Sequence, residues 1–157
     1  MMLIDTILIL ALLSVGLFAG LMMTLVVIMQ QQWNTLDKEE YMRYFKGFLL
    51  VAKGNPIVSV LTLASFVLPL VVGIVHLVSG SNYQGVITIT AGVVFFLGCF
   101  GVTMRLNFPI YTRVIGWENV EAAADWEDVR RRFYVLNVIR MTSAVVSFML
   151  LGIGVLI

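Results

Sequence analysis

Residues 105–140 read RLNFPIYTRVIGWENVEAAADWEDVRRRFYVLNVIR, a polar stretch that joins two long apolar parts of the chain. It contains six of the ten lysine and arginine residues, so positive charge gathers where the apolar runs are interrupted. Polar segments of this kind between apolar runs are typical of loops at a membrane surface. The stretch also holds most of the ionisable groups that could carry out chemistry, so the fold and any active site both depend on it.

The rest of the chain is strongly apolar. Of its 157 residues, 61% are hydrophobic and 12% charged, and its mean hydropathy is +1.01. Four apolar runs predict membrane-spanning helices at about 7–29, 57–78, 86–104 and 134–157, within a single domain covering 1–157. The start of the chain has no basic segment and no cleavage motif, so the first run is interpreted as an uncleaved helix. The predicted fold is therefore all-α, an integral membrane four-helix bundle.

The distribution of charge predicts the topology. Four of the ten lysine and arginine residues lie within 38–53 and the other six within 105–140, while the turn between the second and third spans has none. Because cytoplasmic loops are enriched in Lys and Arg, both long loops are predicted to be cytoplasmic. The chain is then a multi-pass protein of the cell (inner) membrane with both termini on the non-cytoplasmic side.

The first long loop carries the pattern of an amphipathic helix. Apolar residues recur there at spacings of three and four, and Asp37 is placed to cap the helix. This helix could lie on the membrane or cap the bundle or, alternatively, cover a ligand entrance as a lid. A second amphipathic segment in the other long loop would give both halves of the chain the same plan, which raises the hypothesis of a parallel two-hairpin repeat.

Further expectations concern helix ends and helix contacts. Asn107 and Pro109 are predicted to end the third span, and Asp125 to cap the last helix. Gly16 and Gly20 form a G-x-x-x-G pair that favours close helix packing.

Four polar residues are predicted to meet at one membrane depth. Gly98, Gly101 and Arg105 would share one helical face, which directs Arg105 toward the bundle. Asn137 and Arg140 share a face of the last helix, and Asn107 follows Arg105 closely. Such a cluster could bind a carboxylate, an enolate or a lipid phosphate.

A simpler interpretation stays open beside this one. Arginines near helix ends extend to the membrane surface, where carboxylates could pair with them, here Asp125, Glu127 or Asp128. The run Arg130-Arg131-Arg132 is interpreted as a charged surface in contact with anionic lipid.

The sequence predicts no metal and no cofactor. It has one cysteine, Cys99, interpreted as small buried filler, and one histidine, His76, interpreted as solvated or hydrogen-bonded. Zinc, copper and non-haem iron sites need clusters of such residues, and haem would lack paired histidines. Nucleotide-binding and hydrolase motifs are also missing from the sequence, and no nucleic-acid partner is expected.

Several of these residues together resemble a known family. They are MQQQW at 29–33, Leu36, Tyr41, NFPI at 107–110, Asp125-Trp126, Arg132-Phe133 and Asn137-x-x-Arg140. The pattern resembles the anthrone oxygenase-like family of small four-helix membrane proteins, formerly a domain of unknown function. The family pattern reads Asn-x-Pro-x-Asn, Asp-Trp, then Trp-x-x-x-His/Asn-x-x-Arg. In this chain Tyr111 stands at the second Asn and Phe133 at the second Trp.

The resemblance implies an activity and a site. Fungal members oxidise anthrones to anthraquinones with molecular oxygen, a reaction that can run without a cofactor once a base has formed the carbanion. It implies that Asp125 and Arg140 are catalytic, with Arg140 stabilising the enolate. It further implies that Asn107, Trp126 and Asn137, with Phe133 at the second Trp position, bind the substrate. Arg105 is added to the predicted substrate-binding residues because the polar cluster described above includes it. Because an amide does not titrate usefully, Asn137 cannot be the base, and Asp125 is the nearby carboxylate that the motif carries.

Two alternative functions stay open. The chain could be a non-catalytic lipid-binding protein or an accessory subunit of a larger membrane complex. It could also be a small transporter, which would need oligomerisation to form a pathway. The expected partners are therefore the lipid bilayer, an aromatic small molecule or a lipid, and copies of itself or a larger complex.

Overall fold

The computed structural model describes residues 2–157, which form helices and turns with no strand. We number five helices: α1 (Leu3–Asn34), α2 (Lys38–Gly54), α3 (Pro56–Val78), α4 (Asn82–Ile115) and α5 (Trp126–Leu156). All except α2 are long and apolar enough to cross a membrane. The predicted all-α fold with four apolar spans is thus confirmed.

The four long helices form a ring. α1 packs against α3 and α5, and α4 packs against the same two helices from the other side. Side chains in the middle are fully buried; among them are Val15, Phe18, Ala91, Phe95, Ala144 and Leu151. The outer surfaces of these helices expose many large apolar side chains, which suits contact with lipid rather than water.

Glycines allow two helix pairs to approach closely. A Cβ atom on Gly73 of α3 would lie 2.9 Å from the backbone nitrogen of Ile89 and 3.0 Å from the carbonyl oxygen of Gly85, both in α4. The two glycines of the predicted G-x-x-x-G pair differ in what surrounds them. A Cβ on Gly16 would meet the Phe148 ring at 2.8 Å, whereas one on Gly20 would have nothing within 4 Å. Only Gly16 of that pair therefore lies at a helix contact.

The prediction that Asn107 and Pro109 end the third span is wrong. α4 continues to Ile115 because its backbone widens into two π-helical turns, Phe96–Gly101 and Thr103–Asn107. The N–H of Phe108 bonds to the Thr103 carbonyl, five residues back. Pro109 then stands in the first turn of a new α-helical stretch, where its missing N–H and fixed φ are tolerated.

Helix α2 covers one end of the ring, which we call the α2 end. Asp37 caps it as predicted, since its Oδ1 accepts a hydrogen bond from the Glu40 N–H at 2.9 Å. Tyr41, Phe45 and Leu49 recur every four residues on one face and are fully buried, and α2 contacts the last part of α4. The chain turns at once into α3, where the side chain of Asn55 caps the next helix.

The second long loop differs from its prediction. Residues 116–125 form turns, and among residues 2–157 no separate helix lies between α4 and α5. The polar stretch on either side of these turns belongs instead to the end of α4 and the start of α5. Asp125 stands at the N-cap position but its carboxylate does not cap the helix, because it pairs with Arg113 at 2.7 Å. The two-hairpin repeat stays a prediction.

The opposite end holds the α3–α4 turn and the last residues of α5. His76 lies there on α3, buried, and its Nε2 has no hydrogen-bond partner among residues 2–157. The hydrogen bond expected of this side chain is therefore not made at Nε2.

Candidate functional site

Three polar side chains are buried where α4 meets α5. Asn107 of α4 is 0% exposed, and Asn137 and Arg140 of α5 are 2% and 6% exposed. The π-helical turn that ends at Asn107 contacts α5. We call these three residues the α4–α5 polar cluster.

The spacing of residues along α5 places two members of this cluster. Val129, Phe133, Asn137 and Arg140 follow one another at intervals of four, four and three, and all are buried. Such intervals keep side chains on one face of an α-helix. That face points into the bundle, as the sequence predicted for Asn137 and Arg140.

The π-helical turns of α4 place the third member. Each such turn accommodates an extra residue, so the residues that follow are rotated relative to a regular helix. Asn107 becomes fully buried while Arg105 is exposed. The prediction that Arg105 faces the bundle is therefore wrong, although Gly98 does pack against Ser143 of α5 as expected.

Arg140 is a buried cation without an anionic partner. Its Nη1 donates to Asn137 Oδ1 at 2.7 Å, and its guanidinium carbon lies 5.9 Å from the centre of the Phe18 ring. Among residues 2–157 no carboxylate lies within ion-pair distance of it, and its Nε has no hydrogen-bond partner. A buried, unpaired charge costs several kcal/mol, so the surroundings of Arg140 favour an anion.

The simpler interpretation of Arg140 does not hold. The side chain neither reaches the membrane surface nor pairs with Asp125, Glu127 or Asp128, because it is buried beside Asn137. Asp125 pairs with Arg113 and Asp128 with Arg131.

Asn107 has unused hydrogen-bonding capacity. Neither its Nδ2 nor its Oδ1 has a partner among residues 2–157. An unsatisfied buried polar group costs about 1–3 kcal/mol, so a ligand that offers both a donor and an acceptor would be favoured there. Asn137 differs, since its Nδ2 donates to the Phe133 carbonyl at 2.9 Å and its Oδ1 accepts from Arg140.

An aromatic cluster separates these polar groups from α2. The ring centre of Phe133 lies 4.8 Å from that of Phe45, 5.9 Å from that of Trp33 and 6.2 Å from that of Tyr111. Phe133 is one helical turn from Asn137, so this predicted site residue does lie beside the polar cluster. Flat aromatic surfaces next to a buried cation are suited to an aromatic anion.

Trp126 and Tyr41 lie closer to the surface of the α2 end. Their ring centres are 5.5 Å apart, and the Arg130 guanidinium lies over the Trp126 ring at 4.5 Å. Burial raises the pKa of the Tyr41 phenol, and the positive charge of Arg130 offsets only part of that rise. Tyr41 therefore stays a neutral hydroxyl, able to donate a hydrogen bond but unsuited to act as a base.

The structure does not bring the two predicted catalytic residues together. Asp125 precedes Arg140 by fifteen residues, and the helix between them is continuous. At 1.5 Å per residue this separates their Cα atoms by roughly 22 Å along α5. Asp125 instead lies at the surface of the α2 end, paired with Arg113.

Sequence reasoning missed two residues that contact Arg140. The Cys99 thiol, expected only to fill space, is buried and donates to the Arg140 carbonyl at 3.1 Å. Phe18 lies under the guanidinium and packs edge-to-face on Phe95 with ring centres 4.9 Å apart. Phe18 does not stand out in an apolar helix, and although Cys99 is the single cysteine, nothing in the sequence signals its contact with Arg140. Within residues 2–157 no three His, Cys, Asp or Glu side chains come together as a metal site would require.

Comparison with known proteins gives one match. The sequence model of the anthrone oxygenase family matches residues 45–150, which includes all three members of the α4–α5 polar cluster. No curated protein and no solved structure matches this chain.

Proposed function

Because this chain belongs to the anthrone oxygenase family, we propose that its α4–α5 polar cluster binds a polyphenolic aromatic molecule of the anthrone type. We propose further that it promotes oxidation of this molecule by molecular oxygen without a cofactor. The observation that carries the proposal is the buried Arg140 guanidinium, which has no carboxylate partner among residues 2–157.

In this proposal the protein stabilises an anion rather than supplying an oxidant. A ring CH₂ group loses a proton to water and becomes an enolate, whose oxygen pairs with Arg140 and accepts a hydrogen bond from the Asn107 amide. Fixed donors in a site of low dielectric stabilise such charge far more than water does. Asp125 has no contact with the ligand in this arrangement because it lies at the other end of the intervening helix.

The enolate itself is then the reductant of molecular oxygen. Its electrons pass to O₂, a C–O bond forms, and protonation gives a hydroperoxide. Loss of water from the hydroperoxide leaves a carbonyl group, so one CH₂ group and one O₂ become one C=O and one H₂O. The aromatic cluster around Phe133 holds the flat ring system next to Arg140 and keeps bulk water from the anion.

We expect the purified protein to bind a dihydroxyanthrone without oxygen and to oxidise it when oxygen is admitted. Anaerobic titration in lipid nanodiscs should give the absorbance of the bound enolate at a pH where the free compound is still protonated. Admission of oxygen should consume one O₂ for each anthraquinone formed. Binding without oxygen consumption would reduce the function to ligand binding, and no binding would overturn the proposal.

We also propose that the α2 end faces the cytoplasm, since nine of the ten Lys and Arg residues lie in α2, in α4 beyond its π-helical turn Phe96–Gly101, or in the first two turns of α5. A periplasmic-type reporter enzyme fused after Ile157 should then be active, and one fused within the turn at Gly80 should be active too. A reporter placed in the loop 116–125 serves as the matched control and should be inactive. Activity only at the loop position would reverse the topology.

A further inference from the structure

A cleft opens between α4 and α5 at the α2 end, with a volume of about 150 Å³. Ile110 and Arg113 lie on its α4 side, and Asp125, Val129 and Arg132 on its α5 side. These residues belong to one face of each helix, because they are spaced by three or four along the chain. The cleft is therefore the outer part of the same helix contact that holds the α4–α5 polar cluster.

The inner edge of the cleft comes within one helical turn of Asn107 on α4. Ile110 follows Asn107 by three residues on α4, and Val129 precedes Phe133 and Asn137 on one face of α5. From directly above, the cluster is covered by α2, whose Tyr41, Phe45 and Leu49 are fully buried. Between the cleft and Arg140 lie the buried side chains of Val129 and Phe133, which an entering ligand would have to displace.

One ion pair joins the two sides of the cleft. Arg113 Nη2 lies 2.7 Å from Asp125 Oδ2, and the two side chains are 60% and 28% exposed. Partly exposed pairs of this kind are weak enough to open by thermal motion. The loop 116–125 between the two residues consists of turns, so no helix has to break when the pair separates.

The cleft has a second cation besides Arg113, and it lies on the α5 side. Arg132 is exposed and faces the cleft, and it has no ion-pair partner among residues 2–157. Asp128, also on the cleft, is engaged by Arg131 of its own helix at 3.1 Å. The charge available to an approaching molecule is therefore positive.

We propose that this cleft is the entrance site of the protein for small aromatic anions. Arg132 makes the first contact with the anion, and the Arg113–Asp125 pair opens to let it pass toward Arg140. The destination of the ligand rests on the proposed function, but the opening of the cleft does not require it.

Access can be measured without any substrate. In a Cys99→Ala background, Asn107→Cys places a thiol at the inner end of the path, and its rate of reaction with an anionic methanethiosulfonate reports how often the path is open. Asp125→Asn should raise that rate roughly two- to five-fold, as expected from loss of a weak pair. Asp128→Asn is the matched control, because it removes the same charge from the same cleft without freeing Arg113, and it should raise the rate clearly less than Asp125→Asn does.

Arg132 is tested by the charge of the reagent. In the reporter protein the anionic reagent should react faster than a cationic one of the same size, and Arg132→Gln should reduce that ratio roughly five-fold. Equal effects of Asp125→Asn and Asp128→Asn, or an unchanged reagent ratio in Arg132→Gln, would each overturn the entrance site. If the Asn107→Cys protein does not fold, the native Cys99 thiol serves as the reporter in the otherwise unaltered chain. Failure to bind a dihydroxyanthrone would count against the proposed function alone, since thiol labelling does not depend on it.

Discussion

Arg140→Met should weaken binding of a dihydroxyanthrone enolate by roughly 30- to 1,000-fold, because removing one partner of a buried charge pair typically costs several kcal/mol. Methionine preserves much of the length and apolar volume of the arginine stem and removes only the cation. The protein should stay folded, since the buried guanidinium has no carboxylate partner among residues 2–157 to leave behind. Anaerobic titration of the enolate absorbance in nanodiscs measures the change.

Arg105→Met is the matched control for this experiment. It removes the same positive charge from the protein. Arg105 was predicted to face the bundle like Arg140, but it is exposed on α4. We expect its affinity for the enolate to stay within about two-fold of the original protein, as for an exposed charge screened by solvent. An equal loss of affinity for the enolate in both variants would mean that overall charge, and not the buried cluster, governs binding.

Phe45→Ala should lower the free energy of unfolding by roughly 3–5 kcal/mol, the usual cost of removing a buried aromatic ring. Phe45 is 0% exposed on α2, and its ring centre lies 4.8 Å from that of Phe133 and 5.1 Å from that of Trp33. Loss of the ring leaves a cavity between α2 and the bundle. Unfolding by added denaturing detergent, followed by circular dichroism, gives the free energy in both proteins.

Tyr44→Ala removes the adjacent aromatic ring from the same helix and provides the comparison. Tyr44 is 54% exposed, and its contact with Arg43 at 4.9 Å is a cation–π interaction at the surface. Such contacts contribute about 0.5–1 kcal/mol, so the free energy of unfolding should fall several times less in Tyr44→Ala than in Phe45→Ala. Similar losses in the two variants would show that α2 is not anchored by its buried face.

Much of the fold could be predicted from the sequence because it depends on long, repetitive signals. Runs of apolar residues define the four spans, and the recurrence of Tyr41, Phe45 and their neighbours, with Asp37 before them, defines α2 and its first turn. The path of α4 could not be predicted in this way. Pro109 is a strong sign of a helix end, and only the π-helical turns before it allow the helix to continue.

The same local feature explains which side chains were predicted correctly to face the bundle. Asn137 and Arg140 lie on a regular part of α5, so counting residues placed them on the inner face. Arg105 and Asn107 lie at the π-helical turns of α4, where counting at 100° per residue fails. Asp125 is grouped with Arg140 by motif alone, although the fifteen residues from one to the other already place the two roughly 22 Å apart when that stretch is a continuous helix.

The ring of α1, α3, α4 and α5 surrounds a very narrow interior, with no further helix among residues 2–157 at its centre. A guest molecule can settle there only in the space vacated by side chains that swing aside. Fused planar rings are about 3.5 Å thick and could slip between two helices as a single phenyl group does. A puckered or branched guest of equal mass would have to displace more of these side chains, so we expect the interior to admit flat molecules more readily once Arg132 has attracted them.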